Sequence, residues 1–272
     1  MHPVALAVAA LATASLGALG GLGGAVLLVP ILVVAGVDPW LAAPLGLVSV
    51  AAGSLAAAPR QLTDRVVNHR LAVSTEIAGS AAALVGALIS GLVAERVLSV
   101  MLGLVAIVAA LAGASRKGVR NPPDPELTDA DVGERPGTLA GVYPLGDAFV
   151  PYRARRVPVG MLGMAAAGII AGLSGVSGGF VKTPVTTEVM HVPVKVAAAT
   201  TTFTVGITSA VALAVFASQG RVIASDAALV AAASIVGGVL GARLQAVMSP
   251  PVVRRVLAVL LVVVGLVLLV RG

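Results

Sequence analysis

The sequence predicts an all-α polytopic membrane protein built from two inverted repeats of four apolar segments each, and three observations carry that expectation. Of 272 residues, 58% are hydrophobic and 11% charged, with a mean hydropathy of +1.04. A water-soluble domain has about a quarter charged residues. Aliphatic runs of about 18 residues or more, each able to cross about 30 Å of hydrocarbon, recur along the chain. The second half also repeats the first. "GLGGAVLLVP", starting at Gly21, returns as "GVSGGFVKTP", starting at Gly175, and this offset of 154 pairs Gly24 with Gly178, Pro30 with Pro184 and Pro39 with Pro193. Farther on, Gly86–Ala87 matches Gly241–Ala242 at an offset of 155.

The first repeat occupies residues 1–114, with apolar segments at 3–36, 40–58, 71–93 and 97–114. The second occupies 158–272, with segments at 157–191, 194–217, 225–246 and 252–270. The leading segment of each is too long for one crossing, since about 34 helical residues would extend near 50 Å. Each is interrupted midway by glycines, which predicts two limbs meeting at a non-helical turn, a re-entrant or V-shaped hairpin. Glycine- and proline-broken segments at matching positions of a duplication are the sequence mark of a transporter's binding site. The stretch "MHPVALAVAALATASLGALG" lacks the basic start of a signal peptide and is read as the first limb.

Residues 115–157 are read as a linker loop on the cytoplasmic side, rich in Pro and Asp. "GVYPLGDAFVPYRAR" within it suits a small β-hairpin with Tyr143 and Tyr152 near the membrane interface. If each leading hairpin enters and leaves on one side, three full crossings per half invert the second repeat. Arg60, Arg65, Arg70, Arg243, Arg254 and Arg255 then share a side with the loop's seven Lys and Arg, leaving Arg96, Arg221 and Arg271 opposite. The cytoplasmic excess of Lys and Arg prefers this arrangement. The same rule accounts for the net charge of +6, which lacks the basic, aromatic-interleaved runs of a nucleic-acid binder. With no cysteine and three dispersed histidines, neither a metal site nor a cofactor is expected.

"GGLGGAVLLVPILVVAGVDPWLAAPLGLVSV", its repeat "SGVSGGFVKTPVTTEVMHVPVKVAAATTTF", and "VVNHRLAVSTE" resemble the TauE/SafE-type sulfite exporters, also called the toluene sulfonate uptake permease family. The resemblance covers nearly everything outside the middle loop. It implies a multi-pass carrier of the cell inner membrane, an exporter of small sulfur-containing anions such as sulfite or organosulfonates. Coupling to a proton or sodium gradient is expected, and an oligomer is compatible with it. The chain departs from the family pattern at Ala25 and Ser177, where glycine is usual, which puts the substrate rather than the fold in doubt.

A glycine turn frees backbone N–H groups and directs a helix N-terminus inward, where it attracts anions. Gly21, Gly23 and Gly24, with Ser174, Gly175, Ser177, Gly178 and Gly179, are therefore candidate substrate-binding residues. The competing reading is close helix packing by small residues. Lys182, an ionisable group inside an apolar segment, is a functional candidate by default. It either balances the anion's charge, reaches to an interface, or pairs with Glu188. Glu76 either carries a coupling proton or pairs at the interface with Arg70 or His69. In the run Thr200, Thr201, Thr202, Thr204, Thr208 and Ser209 only some hydroxyls can face a path, and Thr201 and Thr204 are the candidates. Two other functions stay open: an anion channel, and an intramembrane serine protease using Ser177 of "GVSG". The protease would need a base near Ser177, and no histidine falls in mid-segment.

Overall fold

The computed structural model describes residues 2–20, 24–63, 65–114, 133–145, 148–245 and 250–271. The first repeat forms α1 (Pro3–Gly20), α2 (Ala25–Val34), α3 (Pro39–Thr63), α4 (His69–Ser90) and α5 (Glu95–Ala114). A small antiparallel sheet follows, with β1 (Gly133–Glu134), β2 (Ala140–Leu145) and β3 (Ala148–Arg153) in the order β1-β2-β3. The second repeat forms α6 (Val157–Ser174), α7 (Gly179–Pro184), a π-helical segment (Val185–Val189), α8 (Val194–Ser218), α9 (Ala224–Gln245) and α10 (Pro250–Arg271). α3, α4, α6, α8 and α9 each contain a stretch long and apolar enough to span a membrane. The protein is an integral, multi-pass membrane protein; in its first leading segment α1 ends at Gly20 and α2 begins at Ala25, and in the second α6 breaks off at Ser174 and α7 begins at Gly179.

The second of these breaks makes a hairpin. α6 ends because Gly175 adopts the left-handed conformation, φ +69°, which glycine alone enters without strain. The chain then folds back until Arg155 N–H donates to the Met190 carbonyl at 2.9 Å, so the hairpin's entry and exit lie side by side.

Packing follows the duplication. α4 packs on α6 as α1 packs on α9, α4 meets α8 as α9 meets α3, and α3–α8 and α5–α10 are each paired with their own counterpart. Small residues make this possible. A Cβ at Gly86 would lie 2.6 Å from the Ile169 carbonyl oxygen, and one at Gly241 would lie 2.3 Å from that of Ser15. Ile169 and Ser15 are themselves 154 residues apart, so the repeat extends to its contacts. Without a hydrophobic driving force between helices in lipid, such close approach supplies the attraction. α4 illustrates the resulting polarity: Val73, Ile77, Leu84 and Leu88 are exposed on one face, whereas Ala72, Thr75, Glu76, Gly79 and Ala83 are buried on the other. The large apolar side chains face lipid and the small and polar ones face the bundle.

The expected β-hairpin is present, with Leu145 opposite Ala148 and Ala140 opposite Arg153. Its tyrosines face the bundle. Tyr143 and Tyr152 are buried with Leu71, Met164, Met190 and Val196, because the sheet folds onto the ends of α4, α6 and α8. Asn68 Nδ2 donates to Tyr152 Oη at 3.0 Å while its Oδ1 caps α4 by accepting from Leu71 N at 2.9 Å. Asn68 N also donates to Thr200 Oγ1 at 3.1 Å, which ties the start of α8 to the start of α4. Burial pushes the Tyr152 hydroxyl up to about 12, the hydrogen bond from Asn68 opposing it, so it stays protonated. Asn68→Ala removes the cap and strands the Tyr152 hydroxyl. It should cost about 1–2 kcal/mol, read as a lower unfolding midpoint in detergent, whereas an unchanged midpoint would show that the sheet docks through apolar contacts alone.

Candidate functional site

Matching hydrogen bonds start α2 and α7. Gly24 O accepts from Leu27 N at 3.1 Å and Leu28 N at 3.0 Å, and Gly178 O accepts from Val181 N at 3.0 Å and Lys182 N at 2.8 Å. Both leading segments press on one point of α3. A Cβ at Gly46 would lie 2.2 Å from Val29 Cγ2 and 3.5 Å from the Ala25 Cβ in the first, and 2.6 Å from the Gly175 carbonyl oxygen in the second. A Cβ at Gly175 would in turn lie 2.2 Å from the Ala43 carbonyl oxygen. Every residue from Ala171 to Phe180 is buried, which a non-helical turn at membrane depth requires. Gly24, Ser174, Gly175, Ser177, Gly178 and Gly179 thus lie at or beside these turns, whereas Gly21 and Gly23 fall outside the described residues. The Ser174 hydroxyl donates to the Ile170 carbonyl at 2.6 Å, and a Cβ at Gly178 would meet the Ala167 carbonyl oxygen at 2.8 Å. Close packing therefore accounts for part of the glycine pattern.

Lys182 is the buried cation among the candidate residues. Its side chain is fully buried, and Nζ donates to Glu76 Oε2 at 2.7 Å and to Thr208 Oγ1 at 2.5 Å. Glu76 Oε1 accepts from Ser80 Oγ at 2.7 Å and from the Thr208 hydroxyl. A hydroxyl has one proton, so Thr208 takes its hydrogen bond from the lysine and passes its own to the carboxylate. Two expectations are corrected here. Lys182 neither reaches an interface nor pairs with Glu188, which is exposed on the π-helical segment. Glu76 does not pair with Arg70 or His69, because it lies two turns into α4 on the inward face, while His69 Nδ1 lies 3.6 Å from Glu134 Oε2. Packing decides this: α4 runs against both α6 and α8, so its inward carboxylate meets what those helices and α7 present. Gly79 leaves the room, since a Cβ there would lie 3.3 Å from Lys182 Nζ.

The threonine run divides as a helix requires. Thr200 serves the Asn68 contact and Thr202 returns to the Ala198 carbonyl at 2.9 Å. Thr204, a candidate, donates to the carbonyl of Thr201, the other candidate, at 3.1 Å, both being buried. Thr208 reaches the ion pair. It belongs to the run, and only its distance along α8 from the threonine cluster disguised it. Two more hydroxyls are buried without any partner, Thr183 Oγ1 and Ser209 Oγ, next in sequence to Lys182 and Thr208. An unsatisfied buried hydroxyl costs about 1–3 kcal/mol and calls for a reason, of which a ligand is the simplest.

The two ends of α4 are closed differently. At its start lie Asn68, Tyr152 and the sheet, beside a cleft of about 490 Å³ lined by His69, Arg70, Ser74 and Gly137–Leu139. At its far end Arg221, in the α8–α9 connection, is buried. Its Nη2 and Nε donate to the Trp40 carbonyl at 2.8 and 3.1 Å, and Nη1 donates to Ser90 Oγ at 2.6 Å. The guanidinium carbon lies 3.8 Å from the Phe216 ring centroid and 4.5 Å from that of Trp40. Burial pushes the Arg221 guanidinium down to about 10, with Asp38 opposing, so it remains a cation at neutral pH. Sequence reasoning placed Arg221 opposite the middle loop but missed this role, since its partners lie far away in the chain.

Among the described residues no three His, Asp or Glu side chains come together as a metal site would require. Comparisons with curated proteins and with solved structures return no match. A family model described as sulfite exporter TauE/SafE matches residues 5–268, a span that includes both glycine turns, Glu76, Lys182 and Thr208. The residue pattern and the long apolar helices agree with that match over nearly the whole length, and the chain belongs to the TauE/SafE family of sulfite exporters.

Proposed function

We propose that this protein is a secondary transporter that exports small sulfur-containing anions, sulfite or organosulfonates, across the cell inner membrane, coupled to an ion gradient. The anion binds where the two glycine turns converge on α3, beside Lys182. The single observation carrying this is the fully buried Lys182, with buried, unpartnered hydroxyls on Thr183 and Ser209, the residues that follow Lys182 and its partner Thr208 in sequence. A buried cation suits an oxyanion, unused hydroxyl donors on the same two helices could add to it, and the glycine turns add backbone amides. Thr201 and Thr204 lie on the same helix as Thr208 and complete the candidate set. Closure at both ends of α4, by the sheet and by Arg221, favours a carrier with alternating access over an open channel. Counterflow separates the two. Proteoliposomes loaded with unlabelled sulfite should accumulate labelled sulfite from outside, as a carrier does, whereas simple equilibration would indicate a channel and no uptake of any sulfur anion would remove the reading.

In the same reading residues 1–114 and 158–272 are inverted repeats and 115–157 is a cytoplasmic linker. Support comes from the Arg155–Met190 contact and from the Asn68–Thr200 contact, which sets the starts of α4 and α8 at one end. The chain has no cysteine, so single cysteines report topology directly. Pro136→Cys should react with an impermeant maleimide only from the inside and Ser225→Cys only from the outside. Labelling of both from one side would exclude the inverted arrangement.

A further inference from the structure

We propose that Glu76 is a built-in competitor for the transported anion: its carboxylate holds Lys182 when no anion is present, and a proton on Glu76 releases the lysine to the anion. The proposal rests on the anion site just described and adds the identity of the coupling ion and the way it couples.

Charge and geometry carry the argument. Lys182 Nζ spends two of its three donors on Glu76 Oε2 and Thr208 Oγ1, and both acceptors belong to one network. The network is formally neutral while Glu76 is ionised, so it has no net attraction for an anion. Bringing an anion to Lys182 with the carboxylate in place would set two negative charges against one buried cation, which low-dielectric surroundings make unfavourable. Protonation of Glu76 removes one of the two. The lysine ammonium then faces the anion, and the carboxylic acid keeps Oε1 as an acceptor for Ser80 and Thr208.

The surroundings leave no other charge to do this work. On α4 the flanking charges, His69 and Arg70, are exposed at the helix start. α6, packed along α4, contains no ionisable residue between Val157 and Ser174. α8 contributes Thr204 and Thr208, with Lys195 exposed at its first turn, and Glu188 of the π-helical segment is exposed. Among the described residues, Lys182 is the charge that Glu76 meets.

The balance follows. The empty site holds one cation and one anion, and the loaded site holds one cation, one bound anion and a neutral acid. One proton therefore enters with each anion, and a monovalent anion crosses with no net charge. Such a movement does not feel the membrane potential. An anion accumulating inside leaves whenever its own gradient exceeds the opposing proton gradient.

Thiosulfate serves as the probe because its charge does not change between mildly acidic and mildly alkaline pH. Calorimetric titration of the purified protein in two buffers of different ionisation enthalpy gives affinity and proton count together. The wild type should take up one proton per thiosulfate at alkaline pH, its affinity falling about tenfold per pH unit there. Glu76→Gln should bind with no proton uptake and no pH dependence, roughly ten- to a hundredfold more tightly than the wild type at alkaline pH. The wild-type proton count stands without the variant should Glu76→Gln not fold. Thiosulfate binding that is independent of pH, or a Glu76→Gln protein that still takes up a proton, overturns the competition and leaves the sulfur-anion site standing. Absence of any thiosulfate or sulfite binding by the wild type overturns both.

Discussion

Lys182→Met is expected to destabilise the protein by about 3–5 kcal/mol and to lower sulfur-anion affinity at least about tenfold. The physical reason is the position of its partner. Glu76 is 5% exposed and Lys182 0%, with 2.7 Å between Nζ and Oε2. Methionine keeps the length of the apolar stem and removes the charge, which leaves a buried carboxylate with only hydroxyl donors. The double variant Lys182→Met, Glu76→Gln removes both charges, and replacing a whole buried ion pair is often nearly neutral. It should recover most of the lost stability and none of the anion binding. Thermal unfolding in detergent, run as a double-mutant cycle beside a binding titration, checks both statements. A single variant as stable as the wild type would mean that the pair contributes nothing to the fold, and a double variant that binds sulfite normally would move the site away from Lys182.

The second large effect is expected at Gly46. Gly46→Ala should abolish counterflow and cost about 1–3 kcal/mol, the usual range for overpacking. Its Cβ would meet Val29 Cγ2 at 2.2 Å, which a side-chain rotation can relieve, and the Gly175 carbonyl oxygen at 2.6 Å, which it cannot. That carbonyl belongs to the residue whose left-handed conformation ends α6, so the clash is passed to the turn itself. Gly53, seven residues farther along α3, supplies the control. A Cβ there meets nothing within 4 Å, and Gly53→Ala should transport and unfold like the wild type. Equal behaviour of the two variants would show that the close contact of α2 and Gly175 with α3 is not needed.

Much of the architecture was legible because its signals are local. Hydropathy marked eight apolar segments, and their limits lie within a few residues of the helices, as with 194–217 against Val194–Ser218. The breaks were legible because glycine and proline act on the backbone where they stand, and the offset of 154 carries down to the bonds from Leu28 to Gly24 and from Lys182 to Gly178. The site was only half legible. Lys182 was conspicuous as a cation in an apolar segment, yet the protein side chain suggested as its partner, Glu188, was a neighbour in sequence. Its actual partner is 106 residues away, and nothing near either residue announces the other.

Composition, periodicity and the glycine and proline positions by themselves determined that this chain is an all-α, multi-pass membrane protein with interrupted apolar segments, since each of those properties is a sum over local preferences. Only the tertiary structure decided which of six clustered hydroxyls reaches the ion pair, which hydroxyls stay unpartnered, and that Arg221 closes one end by bonding Trp40 across 181 residues. The reason is physical. A buried charge is satisfied by whatever the packing brings within about 3 Å of it, and that depends on how α4, α7 and α8 meet rather than on any one of them.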